Sequence, residues 1–195
     1  MTNPVRLESS ADRAALLALA RRVAGRWLAG DERPHAAARP RVEGEFGGAF
    51  VTLWAGKRLR GCVGTFAHTS DVSATIEQVT VSTLKDHRFV SCPVTAGELA
   101  NLTIEISVLS DTALTHDPLS LTPGVHGIVI RSGDRSGCFL PKVASERGWS
   151  ASQFLSNCCT MKAGLPEDAW RDEGVEVSLF TADSFREAEL PGTLG

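Results

Sequence analysis

Residues Ala49–Thr65, AFVTLWAGKRLRGCVGT, read as a β-hairpin. Ala49 to Trp54 and Leu59 to Thr65 are rich in β-branched and apolar residues, and Ala55-Gly56-Lys57-Arg58 supplies the turn between them. The second strand carries Leu59-Arg60-Gly61-Cys62-Val63-Gly64-Thr65, a thiol flanked by glycines and one residue removed from an arginine. Glycine lets a backbone approach another group closely, and a nearby guanidinium favours thiolate over thiol. Strand alternation places Arg60 and Cys62 on one face, about 7 Å apart at Cα. A thiol of ordinary pKa, about 8.5, is roughly 3% ionised at pH 7, and lowering that pKa by one unit raises the fraction to about a quarter. Arg60 is expected to supply part of such a shift. Cys62 is therefore the first candidate nucleophile or ligand contact, against the reading of a small buried hydrophobe.

Around this hairpin the chain alternates helices and strands without a regular βαβ rhythm. Ser9 or Ser10 is placed to cap a helix to about Leu28, with Leu16, Ala20, Val23 and Trp27 on one stripe; Gly30 and Pro34 stop it. Asp31 to Gly48 has little periodicity and reads as an irregular connection. Asp71 caps a second helix to about Lys85, with Val72, Ile76, Val79 and Thr83 inward, and Asp86-His87-Arg88-Phe89 follows it. Leu102 to Leu109 alternates, placing Leu102, Ile104, Ile106 and Val108 on one side and Thr103, Glu105 and Ser107 on the other. Gly127 to Arg131 and Cys138 to Leu140 form a second hairpin across a turn dense in Gly, Ser and Asp. Ser150 and Gln153 make a capping box, with Trp149 and Phe154 in staple positions, for a helix ending near Lys162 before Ala163-Gly164. Val175 to Phe180 reads as the last strand. The pattern predicts an α+β fold, helices layered on a mostly antiparallel sheet.

At 195 residues the chain has one domain or two subdomains. With 43% hydrophobic and 22% charged residues it has the composition of a globular protein. No apolar run approaches the roughly 20 residues of a spanning helix, and Met1-Thr2-Asn3-Pro4 does not begin a signal peptide, so a cytoplasmic location and no membrane partner are expected. The five cysteines, Cys62, Cys92, Cys138, Cys158 and Cys159, lack framework or Cys-x-x-Cys spacing, which fits free thiols and no structural zinc. A net charge of -3 and a pI near 6.0 argue against broad nucleic-acid binding. The Gly61-x-x-Gly64 spacing is similar to a nucleic-acid clamp in spacing alone.

The hallmark Leu-Arg-Gly-Cys-Val-Gly-Thr resembles that of the AMMECR domain family, which usually has isoleucine where Val63 stands. Phe50-Val51-Thr52-Leu53, Leu84 to Phe89, Ser107 to Ser110, Gly124 to Ile128, Phe139-Leu140-Pro141 and Lys162-Ala163-Gly164 resemble further family signatures in the expected order, so one domain spans about residues 5–188. Lys142 departs from the family's usual glutamine, and Thr80 to Thr83 from an alanine-rich stretch. The resemblance implies a larger subdomain containing both termini, a smaller middle subdomain, and the hallmark near a cleft between them. Through the AmmeMemoRadiSam system it also implies partnership with a Memo-like, dioxygenase-like protein and a radical SAM protein.

Two function classes follow. In the first, Cys62 attacks or holds a small anionic or polar substrate, with Glu105 and His126 as candidate acids or bases and Arg60, Gly61, Gly64, Thr65, Asp86 and Arg88 lining the ligand. Against this, Arg60 pairs with an internal acid such as Asp86 or Glu105, Glu105 is a partly exposed carboxylate, and His126 satisfies a turn. Walker, Rossmann, zincin and nucleophile-elbow signatures are missing, so no resident cofactor or metal is expected and the reaction class stays open. In the second class the chain is a non-catalytic binding or adaptor protein.

Overall fold

The first hairpin forms as β1 (Gly48–Ala55) and β2 (Arg58–Thr65) in a computed structural model that describes residues 4–32 and 38–187. Its turn is made at Gly56, where φ is 59°. The pairing is broken once: Leu53 faces Gly61 but Trp54 faces Leu59, so Arg60 is the extra residue of a bulge. β3 (Thr103–Leu109) lies antiparallel to β1 on its other side, and β8 (Ala182–Arg186) completes a four-stranded sheet in the order β2-β1-β3-β8. Val175–Phe180 is therefore not the last strand; the alternation in Ala182–Arg186 was hidden by the polar residues Asp183, Ser184 and Arg186.

Two helices cover one face of this sheet. α1 (Ser10–Leu28) starts where the Ser9 hydroxyl accepts from the Asp12 N–H at 3.1 Å, and it buries Leu16, Leu17, Leu19, Ala20 and Val23. Gly30 follows its end, whereas Pro34 lies outside the described residues. α2 (Val72–Leu84), capped by Asp71, packs on β1 and β2. Its β-branched residues are carried by packing against the sheet, with the buried Thr80 and Thr83 hydroxyls satisfied on the Ile76 and Val79 carbonyls and Thr83 also reaching the Val51 carbonyl. The half-buried Trp27 carries the Lys85 ammonium 4.1 Å from its ring centroid.

Gly61 sets the distance between β2 and α2. A Cβ built there would stand 2.6 Å from the Thr83 carbonyl oxygen, a backbone atom that cannot rotate aside. Gly61→Ala is expected to destabilise the protein by about 1–3 kcal/mol, the range for overpacking a close contact. Urea unfolding of this variant beside Gly25→Ala, whose Cβ has ordinary clearance of 3.7 Å, measures the difference.

These elements, with α3 (Ala96–Leu99), make up a larger unit of the described residues in Arg6–Leu109 plus Asp183–Glu187. The smaller unit is Ser110–Ala182 together with Pro4 and Val5, and the Val5 N–H donates to Thr181 Oγ1. Val5 thus groups with the smaller unit, whereas the chain from Arg6 and the strand β8 from Asp183 group with the larger one. Met1–Asn3 and residues from 188 lie outside the described residues.

Within the smaller unit, β4 (Ala113–Leu114), β5 (Gly127–Ser132), β6 (Arg135–Phe139) and β7 (Glu176–Phe180) form a second antiparallel sheet, ordered β4-β7-β5-β6. Its core gathers Ile128, Ile130, Phe139, Phe154, Leu155, Trp170 and Val177. α4 (Pro141–Arg147), unanticipated, opens on a proline at N1 and closes on Gly148. α5 (Ala151–Cys158) has the expected Ser150/Gln153 capping box, and Phe139 lies against both Trp149 and Phe154. It stops short of Lys162: residues Cys159–Ala163 widen into a π-turn, where Lys162 lies over the Phe139 ring. The α+β class holds, as two sheets rather than one. Among the described residues no helix is long and apolar enough to cross a membrane.

Candidate functional site

Antiparallel register aligns three polar side chains across the larger unit's sheet. Cys62 on β2 stands opposite Thr52 on β1, which stands opposite Glu105 on β3. The Thr52 hydroxyl donates to Cys62 Sγ at 3.3 Å. Glu105 accepts from the Arg186 guanidinium at 2.9 Å. One turn of the pleat away, the Ser107 and Ser184 hydroxyls meet at 2.7 Å. This polar face is not solvent-facing as expected for Glu105: Thr52, Glu105 and Ser107 are all under 5% exposed, while Cys62 is half-buried.

The backbone of Cys62 is held as tightly as its side chain. β2 is an outer strand, so the Cys62 N–H and C=O point away from β1 and lack a strand partner. Asp86, just beyond α2, accepts from the Cys62 N–H at 3.0 Å, and Arg88 donates to the Cys62 carbonyl at 2.8 Å. The two side chains pair with each other at 2.6 Å, and Asp86 also accepts from the Arg88 N–H. The Arg88 guanidinium, then the two N–H groups, hold the Asp86 carboxyl down to about 2. A carboxylate and a guanidinium thus imitate the missing neighbour strand.

Arg60 does not join this cluster. The bulge redirects it, and it is 3% exposed. Its Nε and one Nη donate to the Glu98 carboxylate at 3.1 Å, and its Nη atoms also reach the Cys92 and Pro93 carbonyls. Arg60 is therefore an anchor for the 92–98 segment, with Glu98 as its acid in place of Asp86 or Glu105. The bond from Arg60, with the Thr95 N–H, holds the Glu98 carboxyl below its usual range. Gly61 serves the approach of α2, Gly64 lies under the Phe50 ring, and Thr65 Oγ1 accepts from the Ala67 N–H. His126 belongs to the smaller unit, where its Nδ1 accepts from the Thr122 N–H at 2.9 Å, a turn-satisfying role. His68 stands 2.9 Å from Glu45.

Three residues of this arrangement were missed in the sequence. Glu98 was legible, since Thr95-x-x-Glu98 is a capping box, and the box forms. Thr52 follows from hairpin register once the bulge is known. Arg186 had no signal, lying past the last recognised strand. All five cysteines are free, and burial pushes the Cys158 and Cys159 thiols up. Among the described residues no group of three or more His, Cys, Asp or Glu could hold a metal ion.

The sequence and the fold are similar to those of known proteins. A sequence model of the AMMECR1 family matches residues 17–185. The chain belongs to the AMMECR1 family. It is 37% identical to Protein PYRAB00100 of Pyrococcus abyssi over 184 residues, covering 88% of each chain. It is 40% identical to Protein PH0010 of Pyrococcus horikoshii over 135 residues, a match that spans 66% of this chain and 64% of that protein. The crystal structure of PH0010, titled as an uncharacterised protein, superposes with a TM-score of 0.78 at 34% identity over 90% of this chain and 91% of the other. The AMMECR1 resemblance read from the hallmark is thus extended to nearly the whole fold, while these relatives' titles assign no reaction.

Proposed function

We propose that this AMMECR1-family chain is a binding and substrate-handling protein, in which Cys62 is a polar contact for a small anionic or polar ligand rather than an activated nucleophile. One observation carries the reading: the hallmark arginine is turned away from Cys62, and the charged side chains on its clamp and across its sheet are each committed to a structural partner. Arg60 holds Glu98, Arg88 holds Asp86, and Arg186 holds Glu105. The group touching the thiol is a threonine hydroxyl, which has no capacity to take up its proton at neutral pH. The side chain of Arg88 is 41% exposed, so its outer edge is open to an anion while its inner edge clamps the strand.

The family resemblance supports a Memo-like and a radical SAM protein as partners, with any redox cofactor residing on them. Co-purification of the full chain with those two proteins from the same genome, as wild type and Cys62→Ser, tests the reading. Equal recovery of partners with both is expected. Turnover of a substrate that disappears in Cys62→Ser would favour the cysteine-dependent enzyme instead, a reading to which the Thr52 hydrogen bond lends support by stabilising a thiolate.

A further inference from the structure

We propose that the free edge of β2 at Gly64, with the pocket beside it, is a docking site for an extended, uncharged peptide segment of a partner protein. The site does not use the Cys62 thiol, so it stands or falls separately from the binding reading above.

Alternation along β2 carries the first step. At Cys62 the outward N–H and C=O are taken by Asp86 and Arg88. Two residues on, the N–H and C=O of Gly64 face outward by the same periodicity, and no comparable clamp holds them among the described residues. Protecting one outward pair with two charged side chains while leaving the next open marks the open one as a place where another strand adds. The available length is short. The Asp86–Arg88 clamp bounds it on one side, and the Phe46–Thr69 bridge closes the chain on the other.

A pocket of about 390 Å³ opens at this edge, between β2, the 67–69 loop and the outer face of α2. That volume is at the small end of the roughly 300–1,000 Å³ of ligand sites. Gly64, Thr65, Thr69, Gln78 and Ser82 line it, and no Asp, Glu, Lys or Arg does. Its ionisable group is His68, already beside Glu45. A lining without Asp, Glu, Lys or Arg, made of hydroxyls, a carboxamide, a backbone edge and small apolar side chains such as Val63 and Ala74, penalises an unpaired charge and matches a peptide backbone with small neutral side chains. Phe50 occupies the sheet face over Gly64, where a Cβ would stand 2.2 Å from its ring, so residue 64 is fixed as glycine by that packing and offers its backbone alone at the edge.

The test titrates the ¹⁵N-labelled full chain with acetyl-threonyl-valyl-threonine amide and with the same peptide N-methylated at each backbone amide. Saturable shifts at the Gly64 amide and the Gln78 side-chain amide are expected, weakened about tenfold by methylation through loss of the backbone donors. Ser82→Arg, at an exposed α2 position, fills the pocket and is expected to weaken binding similarly with an unchanged unfolding midpoint. Absence of saturable Gly64 shifts up to the peptide's solubility, equal binding of the methylated peptide, or indifference to Ser82→Arg overturns the proposal.

Discussion

Replacing Arg60 with alanine is expected to destabilise the protein by about 2–4 kcal/mol and to release residues 92–98. Removing one member of a fully buried ion pair costs about 3–5 kcal/mol, but Glu98 is 33% exposed and water recovers part of the loss. The remainder comes from the Cys92 and Pro93 carbonyls, which lose charged donors. Arg60→Lys is expected to recover under half, because an ammonium cannot reproduce the fork that spans Glu98 and two carbonyls. Equilibrium unfolding gives the stability, and amide exchange at Thr95–Leu99 reports the release. A ligand-binding Arg60 would behave otherwise, with unchanged stability and exchange and a loss confined to ligand affinity.

The second large effect is at Asp86. Asp86→Ala removes the acceptor for the Cys62 N–H and leaves Arg88 without its carboxylate, and an expected cost of about 2–4 kcal/mol follows from a side chain only 2% exposed. Its pH dependence has a defined sign. An ordinary aspartate titrates near 3.8, whereas Asp86 in the folded chain is held to about 2. The folded state therefore binds the proton less readily than the unfolded one. The stabilisation, of order 2 kcal/mol, is fully present above about pH 4 and is lost as pH falls from there through about 2. Urea unfolding at a series of acidic pH values is expected to show this limb in the wild type and a flatter one in Asp86→Asn. An unchanged limb in Asp86→Asn would assign the acid sensitivity to other carboxylates.

The hairpin, both long helices and the capping box at Ser150 were legible because each is written in local chemistry: a cap, a period, a turn residue. The bulge at Arg60 was not, since it depends on which residue of β1 faces which of β2, and alternation alone put Arg60 beside Cys62. Glu105 was read as half-exposed because its strand alternates cleanly, yet both faces of that strand are buried. The pairing of Arg186 with Glu105 joins residues 81 apart, and no periodicity announces a partner at that separation. Asp86 and Arg88 were recognised as candidate ligand contacts, and only the outer position of β2 reveals them as its substitute neighbour. The hallmark was thus legible as a place and misleading as a charge distribution.

Labelling the native protein with iodoacetamide at pH 7, with mass spectrometry resolving each cysteine, tests most directly whether Cys62 is an activated nucleophile. Cys92 is exposed and in no disulfide, with the Arg60 guanidinium beside its thiol, so it is the accessible cysteine against which Cys62 is compared. The clamped, half-buried Cys62 beside Thr52 is expected to react more slowly than Cys92 and to catch up after unfolding. Selective labelling of Cys62 ahead of Cys92 in the folded protein would contradict the binding-protein reading and establish a reactive thiol.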